Sequence, residues 1–462
     1  MAVVNTVLTS DLEFGNRIDA ELYRASLQES FEKIFQTGFP VTRLRRTCII
    51  RSGTTPSDRV DGLKKGPILF KTTDIRNGIL SPKGDYYRIT DDIHRRMAKT
   101  QLQDRDVLLN IVGATLDVIG RSAFVSQLED EANITQAMVL LRSQTEDLLP
   151  GYLFAFLNTC FGQDQVARYA RPTGQYNLNL HEVGHICIPL LPLPEQQAIE
   201  NMVLSAGNLQ NRSTSCYEQA EQHFQDGLGL NSLAFQRPVG YVAQVSEALG
   251  SRRIDADYFQ MPFRQNEAHL NKFETKQLHE LASISKGIEV GSNAYEAAGH
   301  PFLRVSNIKE TGIELGPSDK YISPARYAEL QGYRPEIGEL LLTKDGSPGV
   351  AMAVDQPYNG IISGGVVRLK PKSDEIPVEY LALAINSRAC RMQVDRECSG
   401  ALILHWKPSQ IRRLRIPLLQ KSVMERIAEL VIESKRAKRE SEALLSQAKT
   451  LVEKLIEEGV KP

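Results

Sequence analysis

The sequence predicts an α+β fold made by tandem duplication: one mixed domain plus one long helix, used twice, with the two helices pairing as a coiled coil. Three observations predict it. Short motifs return in the same order in the two halves, each half carries short β-rich runs bounded by turn residues, and each half ends in a heptad-spaced apolar seam.

The echoes begin with Arg17-Ile18-Asp19-Ala20-Glu21, which returns as Arg253-Ile254-Asp255-Ala256-Asp257, an offset of 236 residues (17 to 253). Phe70-Lys71-Thr72-Thr73-Asp74-Ile75-Arg76 then matches Leu303-Arg304-Val305-Ser306-Asn307-Ile308-Lys309, and Asp106-Val107-Leu108-Leu109 with Gly113 matches Glu339-Leu340-Leu341-Leu342 with Gly346, now offset by 233 (106 to 339). Ile134, Val139 and Leu141 against Ile362, Val367 and Leu369, Leu153 and Asn158 against Leu381 and Asn386, and Ile188-Pro189-Leu190 against Ile416-Pro417-Leu418 settle at 228 (188 to 416). Collinear matches whose offset drifts slowly are the trace of a duplicated domain that has lost a few loop residues.

Within each half the runs 68–72, 107–112 and 137–141, and 302–305, 339–343 and 365–369, read as strands. Helical spacing follows at 151–165 and 378–392. Each copy closes on a short Pro-containing strand-like run, 186–193 and 414–419, before a long periodic stretch.

In the second stretch Ile427, Leu430, Ser434, Ala437, Ser441, Leu444, Ala448, Leu451 and Leu455 step by three and four. Ile199, Met202, Ala206, Leu209, Ser213, Cys216, Ala220 and His223 hold the same register 228 residues earlier. Such a seam must be covered, and small residues at its middle (Ala206, Ser213, Ala220; Ser434, Ala437, Ser441) let two backbones approach closely. The alternative is that each helix packs on its own domain. Pro194 suits a first helical turn, and Gly227 and Gly459 are placed where helices stop. Lys435-Arg436-Lys438-Arg439 reads as a solvated outer face. The expected boundaries are 1–192 and 229–418 for the domains, and 193–228 and 419–462 for the helices.

At 462 residues the chain is long enough for two or three domains. With 42% hydrophobic and 24% charged residues, its composition is that of a folded globular protein. No run approaches a membrane span, and residues 1–14 lack a basic start followed by an apolar core, so the expectation is a cytoplasmic protein outside the membrane. Cys48, Cys160, Cys187, Cys216, Cys390 and Cys398 are scattered without zinc-site spacing and read as reduced thiols. The net charge of −1 means that any contact with nucleic acid must come from local clusters. Arg43-Leu44-Arg45-Arg46, Arg252-Arg253 and Arg412-Arg413-Leu414-Arg415 supply such clusters.

No phosphate-cradling Gly-x-x-x-x-Gly-Lys, dinucleotide-binding Gly-x-Gly-x-x-Gly, zinc-binding His-Glu-x-x-His or nucleophile-bearing Gly-x-Ser-x-Gly occurs, nor the Asn/Asp-Pro-Pro-Tyr tetrapeptide of adenine methyltransferases. His181 and His185 have helical ligand spacing, but Gly184 beside them and the lack of a third ligand argue against a metal. The expectation is a chain that is not an enzyme and holds no metal or cofactor of its own.

The Lys/Arg-x-x-Asp/Asn-Ile motif, the Asp106-Val107-Leu108 and Glu339-Leu340-Leu341 strands, Gly174-Gln175-Tyr176-Asn177-Leu178, and Ile188-Pro189-Leu190-Leu191-Pro192-Leu193-Pro194-Glu195-Gln196-Gln197 together resemble the specificity subunit of type I restriction-modification systems. The resemblance covers nearly the whole chain. The second copy departs from it, with Leu418-Leu419-Gln420-Lys421-Ser422 for the Pro-Glu-Gln stretch and Ser399-Gly400-Ala401 for Gly-Gln. The resemblance implies two target recognition domains held apart by an antiparallel helix pair, each reading one half of a bipartite site on double-stranded DNA. It also implies two methyltransferase subunits as partners, with restriction subunits as further ones, and S-adenosylmethionine, ATP and magnesium on those partners. A pseudo-two-fold arrangement of copies fits the dyad of a duplex.

Lys71, Thr73, Arg76 and Asn77, and their counterparts Arg304, Ser306, Asn307 and Lys309, combine cations for phosphates with amides and hydroxyls for base edges. The alternative is a solvated turn. Gly174, Gln175, Tyr176 and Asn177 form a polar loop after Arg168 and Arg171, with amides suited to adenine; the bland reading is a domain-closing turn. The second copy places Ser399, Gly400, His405, Trp406 and Lys407 there, where the chain's one tryptophan is either a stacking wedge or a core residue. Two other functional readings stay open: the specificity subunit of a fused restriction-methylation enzyme, and a two-domain scaffold that binds proteins instead of DNA. The helix pair and the Arg-Ile-Asp-Ala segments are the candidate docking surfaces for partners.

Overall fold

The computed structural model describes residues 22–459 except 77, 81–83, 85, 173, 236–237, 317–318 and 399–403. Arg17 to Glu21, Asn77 and Ser399-Gly400-Ala401 therefore lie outside the described residues. The chain divides into two compact units, Met1–Arg212 with Ala437–Pro462, and Ser213–Arg436. Each unit takes in part of each long helix, Leu193–Leu228 and Lys421–Gly459.

In the first unit a five-stranded sheet runs in the order Cys48–Ser52, Met138–Ser143, Val107–Asn110, Ser122–Val125, Gly78–Leu80. Its neighbours are antiparallel except the last pair. Strand alternation splits the apolar run 107–109 between two cores. Val107 and Leu109 join the helix residues Tyr152, Leu153 and Phe156, while Leu108 joins Ile68, Phe70 and Ile134. A strand covered on both faces reads as continuous Val-Leu-Leu for that reason.

The second unit repeats the plan with four strands, Ala282–Lys286, Val366–Pro371, Leu340–Thr343 and Ala351–Ala353, all antiparallel. Leu340 and Leu342 face Tyr380 and Leu381, and Leu341 faces Leu303 and Val366. A short closing ladder recurs as well: Val41–Arg43 pairs with Cys187–Pro189 in one unit, and Thr275–Gln277 with Arg415–Pro417 in the other. This is an α+β fold produced by tandem duplication.

Where the sequence predicted one helix over 151–165 and one over 378–392, each copy holds two: Pro150–Leu157 then Cys160–Tyr169, and Val378–Asn386 then Arg388–Glu397. The break is made by a hydroxyl N-cap. Thr159 Oγ1 accepts from Gly162 N at 3.2 Å, and Ser387 Oγ from Cys390 N at 3.4 Å. The second helix of each pair then sends a glutamine to clamp the closing strand. Gln165 bonds both N and O of Cys187, and Gln393 both N and O of Arg415.

Stretches of the two long helices meet inside each unit. In the first, Ser441 Oγ donates to Ala206 O at 2.8 Å, and Ile199 and Val203 share a core with Ala448, Val452 and Ile456. In the second, Ser434 Oγ donates to Ser213 O at 2.7 Å, and Gly227 lies against Leu419. As the number rises on one helix it falls on the other, so within this unit they run antiparallel.

Four expectations need correction here. Lys435 is 2% exposed, with Nζ on Ala353 O at 2.6 Å and on Asp355 at 3.3 Å, so it is a buried ion-paired lysine and not part of a solvated face. His223 is exposed and Phe224 takes the seam position. The helix Leu193–Leu228 ends at Gly229, which adopts the left-handed φ of +64°, while Gly227 is helical and lies against Leu419, a methyl of which would have to shift to admit a Cβ there. Val452 and Ile456 are buried where Leu451 and Leu455 were expected, because a straight helix of 3.6 residues per turn drifts away from a 3.5 repeat.

Candidate nucleic-acid interface

In the first unit Lys71, Thr73 and Arg76 stand exposed around a single 3-10 turn, Thr72–Asp74. The turn forms because Asp74 Oδ2 accepts from Lys71 N at 2.8 Å, which explains the acidic residue of the motif. Lys71 Nζ lies 4.1 Å from the centre of the Tyr87 ring, which holds the cation near the surface. Asn110, at the end of the central strand, donates from Nδ2 to Thr72 O at 3.1 Å and to Val118 O at 3.3 Å.

The second candidate segment reaches the same strand end. Val112 and Gly113 pair with Asn177 and Tyr176, which pair in turn with Arg171 and Pro172. Gly174 has φ +84°, a turn conformation that favours glycine, and Gly174, Gln175 and Asn177 are exposed with Tyr176 half-buried. Lys71, Thr73 and Arg76 and the loop Gly174 to Asn177 are thus carried by one strand end, through Asn110 and Val112. Arg168 is not part of this surface, whereas Arg171, opposite Asn177, is exposed beside it. Arg168 is 1% exposed, donating to Leu22 O and stacking on Phe31, and Arg171 is paired with Glu182 at 2.5 Å.

The second unit builds the equivalent turn, Val305–Asn307, on Asn307, whose Oδ1 accepts from Arg304 N at 2.9 Å while Nδ2 donates to Glu314 O at 3.0 Å. Asn307 is 2% exposed with both ends of its amide engaged, so it shapes the turn and presents no edge to a ligand. Ser306 is exposed, Lys309 is half-buried in a two-strand ladder with Gly312–Ile313, and Arg304 lies 3.6 Å from Asp319.

Asp345 and Gly346 pair with His405 and Leu404, and Gly365 packs between Val305 and Asp345, so here too the two segments converge. His405 is exposed with Nδ1 2.8 Å from Asp345 Oδ1, and Lys344 holds the other carboxylate oxygen. Burial works against the Asp345 carboxylate, but hydrogen bonds from Lys344 and His405 outweigh it and hold its pKa below the usual range. Lys407 is exposed; Trp406 is 2% exposed and belongs to the apolar core.

Sequence reading missed Asn110, Lys344 and Asp345. Only Asn110 left a signal, as a polar residue ending an apolar strand. His181 and His185 stack at 4.2 Å, and His185 Nδ1 lies 2.7 Å from His181 O. Burial lowers the His185 pKa against that bond, and the charges of His181, Arg45 and Arg43 lower it further. The six cysteines are free, and no helix among the described residues is long and apolar enough to cross a membrane.

No protein-family model matches the chain, and no curated protein matches it. Among solved structures it is similar to the S subunit of a type I restriction-modification system from M. genitalium, at 13% identity and TM-score 0.42, covering 92% of this chain and 97% of that one. It is similar also to the HsdS subunit from Thermoanaerobacter tengcongensis, at 15% identity and TM-score 0.28, covering 92% and 96%. A type IIG restriction endonuclease, BpuSI, matches over 39% of this chain and 28% of its own, at 11% identity and TM-score 0.29.

Proposed function

We propose that this chain is the DNA sequence-specificity subunit of a type I restriction-modification system, a non-catalytic cytoplasmic protein. Each copy of its mixed domain reads one half of a bipartite target, and the chain directs a partner adenine methyltransferase to it, with restriction subunits as further partners. S-adenosylmethionine, ATP and magnesium belong to those partners. The paired long helices serve as an antiparallel coiled-coil spacer between half-sites.

The observation that carries this reading is the recurrence of one device in both copies: a short turn bearing cations and hydroxyls (Lys71, Thr73, Arg76; Arg304, Ser306) meets a polar segment (Gly174 to Asn177; His405, Lys407) beside the end of a central strand. Cations fix a duplex through its phosphates and short polar side chains discriminate base edges, so the combination suits DNA. Divergence between Gln175-Tyr176-Asn177 and the His405 segment gives the copies different half-sites. The partners dock on the helix pair and the Arg-Ile-Asp-Ala segments.

The test is to co-express the chain with the methyltransferase it partners and to sequence the methylome of the host. Adenine methylation confined to a two-part motif with a fixed spacer is the expected result. Absence of any motif, with no duplex bound in a mobility-shift assay of the complex, would overturn the reading in favour of a protein scaffold.

A further inference from the structure

The short ladders beside the two candidate surfaces align the copies residue by residue. Val112 and Gly113 pair with Asn177 and Tyr176, as Asp345 and Gly346 pair with His405 and Leu404. On the next rung Leu178 N donates to Ile111 O, and Trp406 N to Lys344 O, both at 2.9 Å. His405 therefore occupies the place of Asn177, and Lys344-Asp345 the place of Ile111-Val112.

These three differences between the copies form one connected chain. In the first copy Ile111 is a core residue, and the exposed Asn177 has the half-buried Val112 opposite it. In the second, Lys344 Nζ holds Asp345 Oδ2, and Asp345 Oδ1 lies 2.8 Å from His405 Nδ1. Burial works against the Asp345 charge, but the hydrogen bonds from Lys344 and His405 outweigh it and keep the carboxylate ionised. The charged groups that face the imidazole from the paired strand are these two, Asp345 in contact and Lys344 beyond it.

An ionised carboxylate only accepts, so Nδ1 of His405 carries the hydrogen between them. In a neutral imidazole the other ring nitrogen, Nε2, is then a bare acceptor. The His405 side chain is 58% exposed, and Nε2 has no hydrogen-bond partner among the described residues, so this pole is open to a ligand. In the major groove cytosine presents a single polar group, the N4 amino donor, whereas adenine sets its N6 donor beside the N7 acceptor. An amide such as Asn177 matches the adenine pair with a donor and an acceptor of its own. A lone acceptor matches the amino group of cytosine.

Given the DNA-reading role proposed above, on which this rests, we infer that His405 reads a cytosine in the half-site of the second copy, its Nε2 accepting from the N4 amino group, and that Asp345 is the positioning residue that fixes the tautomer. Lys344 fixes Asp345 in turn. The arrangement dictates what Asp345→Asn does. The new amide must turn its oxygen to the Lys344 ammonium, which leaves its amino group facing His405. Nδ1 then accepts and Nε2 carries the hydrogen, so the variant presents a donor where the native chain presents an acceptor.

The complex with the methyltransferase is compared by methylome sequencing for the native chain, His405→Ala and Asp345→Asn. The expected native motif contains a cytosine that His405→Ala relaxes to any base, with the other half and the spacer unchanged. Asp345→Asn is expected to replace that cytosine by thymine or guanine, whose O4 and O6 accept. A second measurement needs no variant. In a mobility-shift assay the native complex should prefer cytosine to thymine at one position of one half by about tenfold at pH 8, the worth of one hydrogen bond. At pH 5.5 a protonated imidazole donates from Nε2, and that preference should vanish. A native chain that yields no two-part motif fails the DNA reading itself and takes this inference with it. A two-part motif in which His405→Ala relaxes no cytosine, Asp345→Asn keeps the cytosine, or every preference is the same at both pH values overturns this inference alone and leaves the DNA reading standing.

Discussion

The hydroxyl of Tyr380 donates to the carbonyl oxygen of Pro417 at 2.7 Å, tying the first helix of the second copy to its closing strand. The first copy makes the same bond between Tyr152 and Pro189 at 2.6 Å. Both rings are fully buried, so no water replaces the lost donor when the hydroxyl is removed. Tyr380→Phe is expected to destabilise its unit by about 1–2 kcal/mol, and Tyr152→Phe by a similar amount in the other, as a buried acceptor is left unmatched. Urea unfolding of the single variants measures both; an unchanged midpoint would show that the bond contributes nothing.

The small residues at the middle of the two long helices carry a second prediction. Ser434 and Ser441 are at most 1% exposed and donate across to Ser213 O and Ala206 O. Enlarging either to leucine overpacks the contact and removes the bond, for an expected loss of about 1–3 kcal/mol each. Ser446→Leu, at an exposed position of the same helix, is the control and is expected to change little. Equal thermal melts for Ser441→Leu and Ser446→Leu would mean that the helices do not rely on this approach.

Periodicity and repetition made the large features legible. Val107-Leu108-Leu109 could be read as a strand because it is covered on both faces, and its echo at 340–342 doubled the signal. The seam was legible at Ile427, Leu430, Ser434, Ala437 and Ser441, where burial follows it residue by residue. It failed where tertiary context decides. Lys435 is polar by type but buried by an ion pair with Asp355, and no spacing rule anticipates a partner 80 residues away in sequence. The same applies to the candidate interface. Asp74 and Asn307 share a motif with the exposed Lys71 and Ser306, and only the hydrogen bonds separate the residues that shape the turn from those that face solvent.

Cys160 offers a test by pH. It is the one exposed cysteine, yet desolvation first, and then the carboxylate of Glu453, push its pKa up to about 11. The thiolate is the reactive form, so alkylation at pH 8 should be slow and should accelerate steadily toward pH 11. Glu453→Gln removes a charge that disfavours the thiolate while its amide oxygen still accepts from Cys160 N, a bond of 2.9 Å in the native chain. The variant should therefore react several-fold faster at pH 8, by a maleimide assay with mass detection of the modified site. An unchanged rate would remove Glu453 from the causes.

Lys71 and Arg76 flank the turn that Asp74 closes, and phosphate contact is the role proposed for them. Each phosphate neutralised releases condensed counterion, so affinity falls with salt by a slope of about 0.9 per contact on a log-log plot. Lys71→Ala with Arg76→Ala should weaken binding of the methyltransferase complex to every duplex alike and lower that slope by about 1.8. Thr73→Ala, which removes a hydroxyl and no charge, should leave the slope alone and act only on discrimination between targets. These two patterns separate positioning from reading within one turn. A double variant with the native salt slope would take Lys71 and Arg76 off the DNA, leaving the Gly174 to Asn177 loop to carry the contact in that copy.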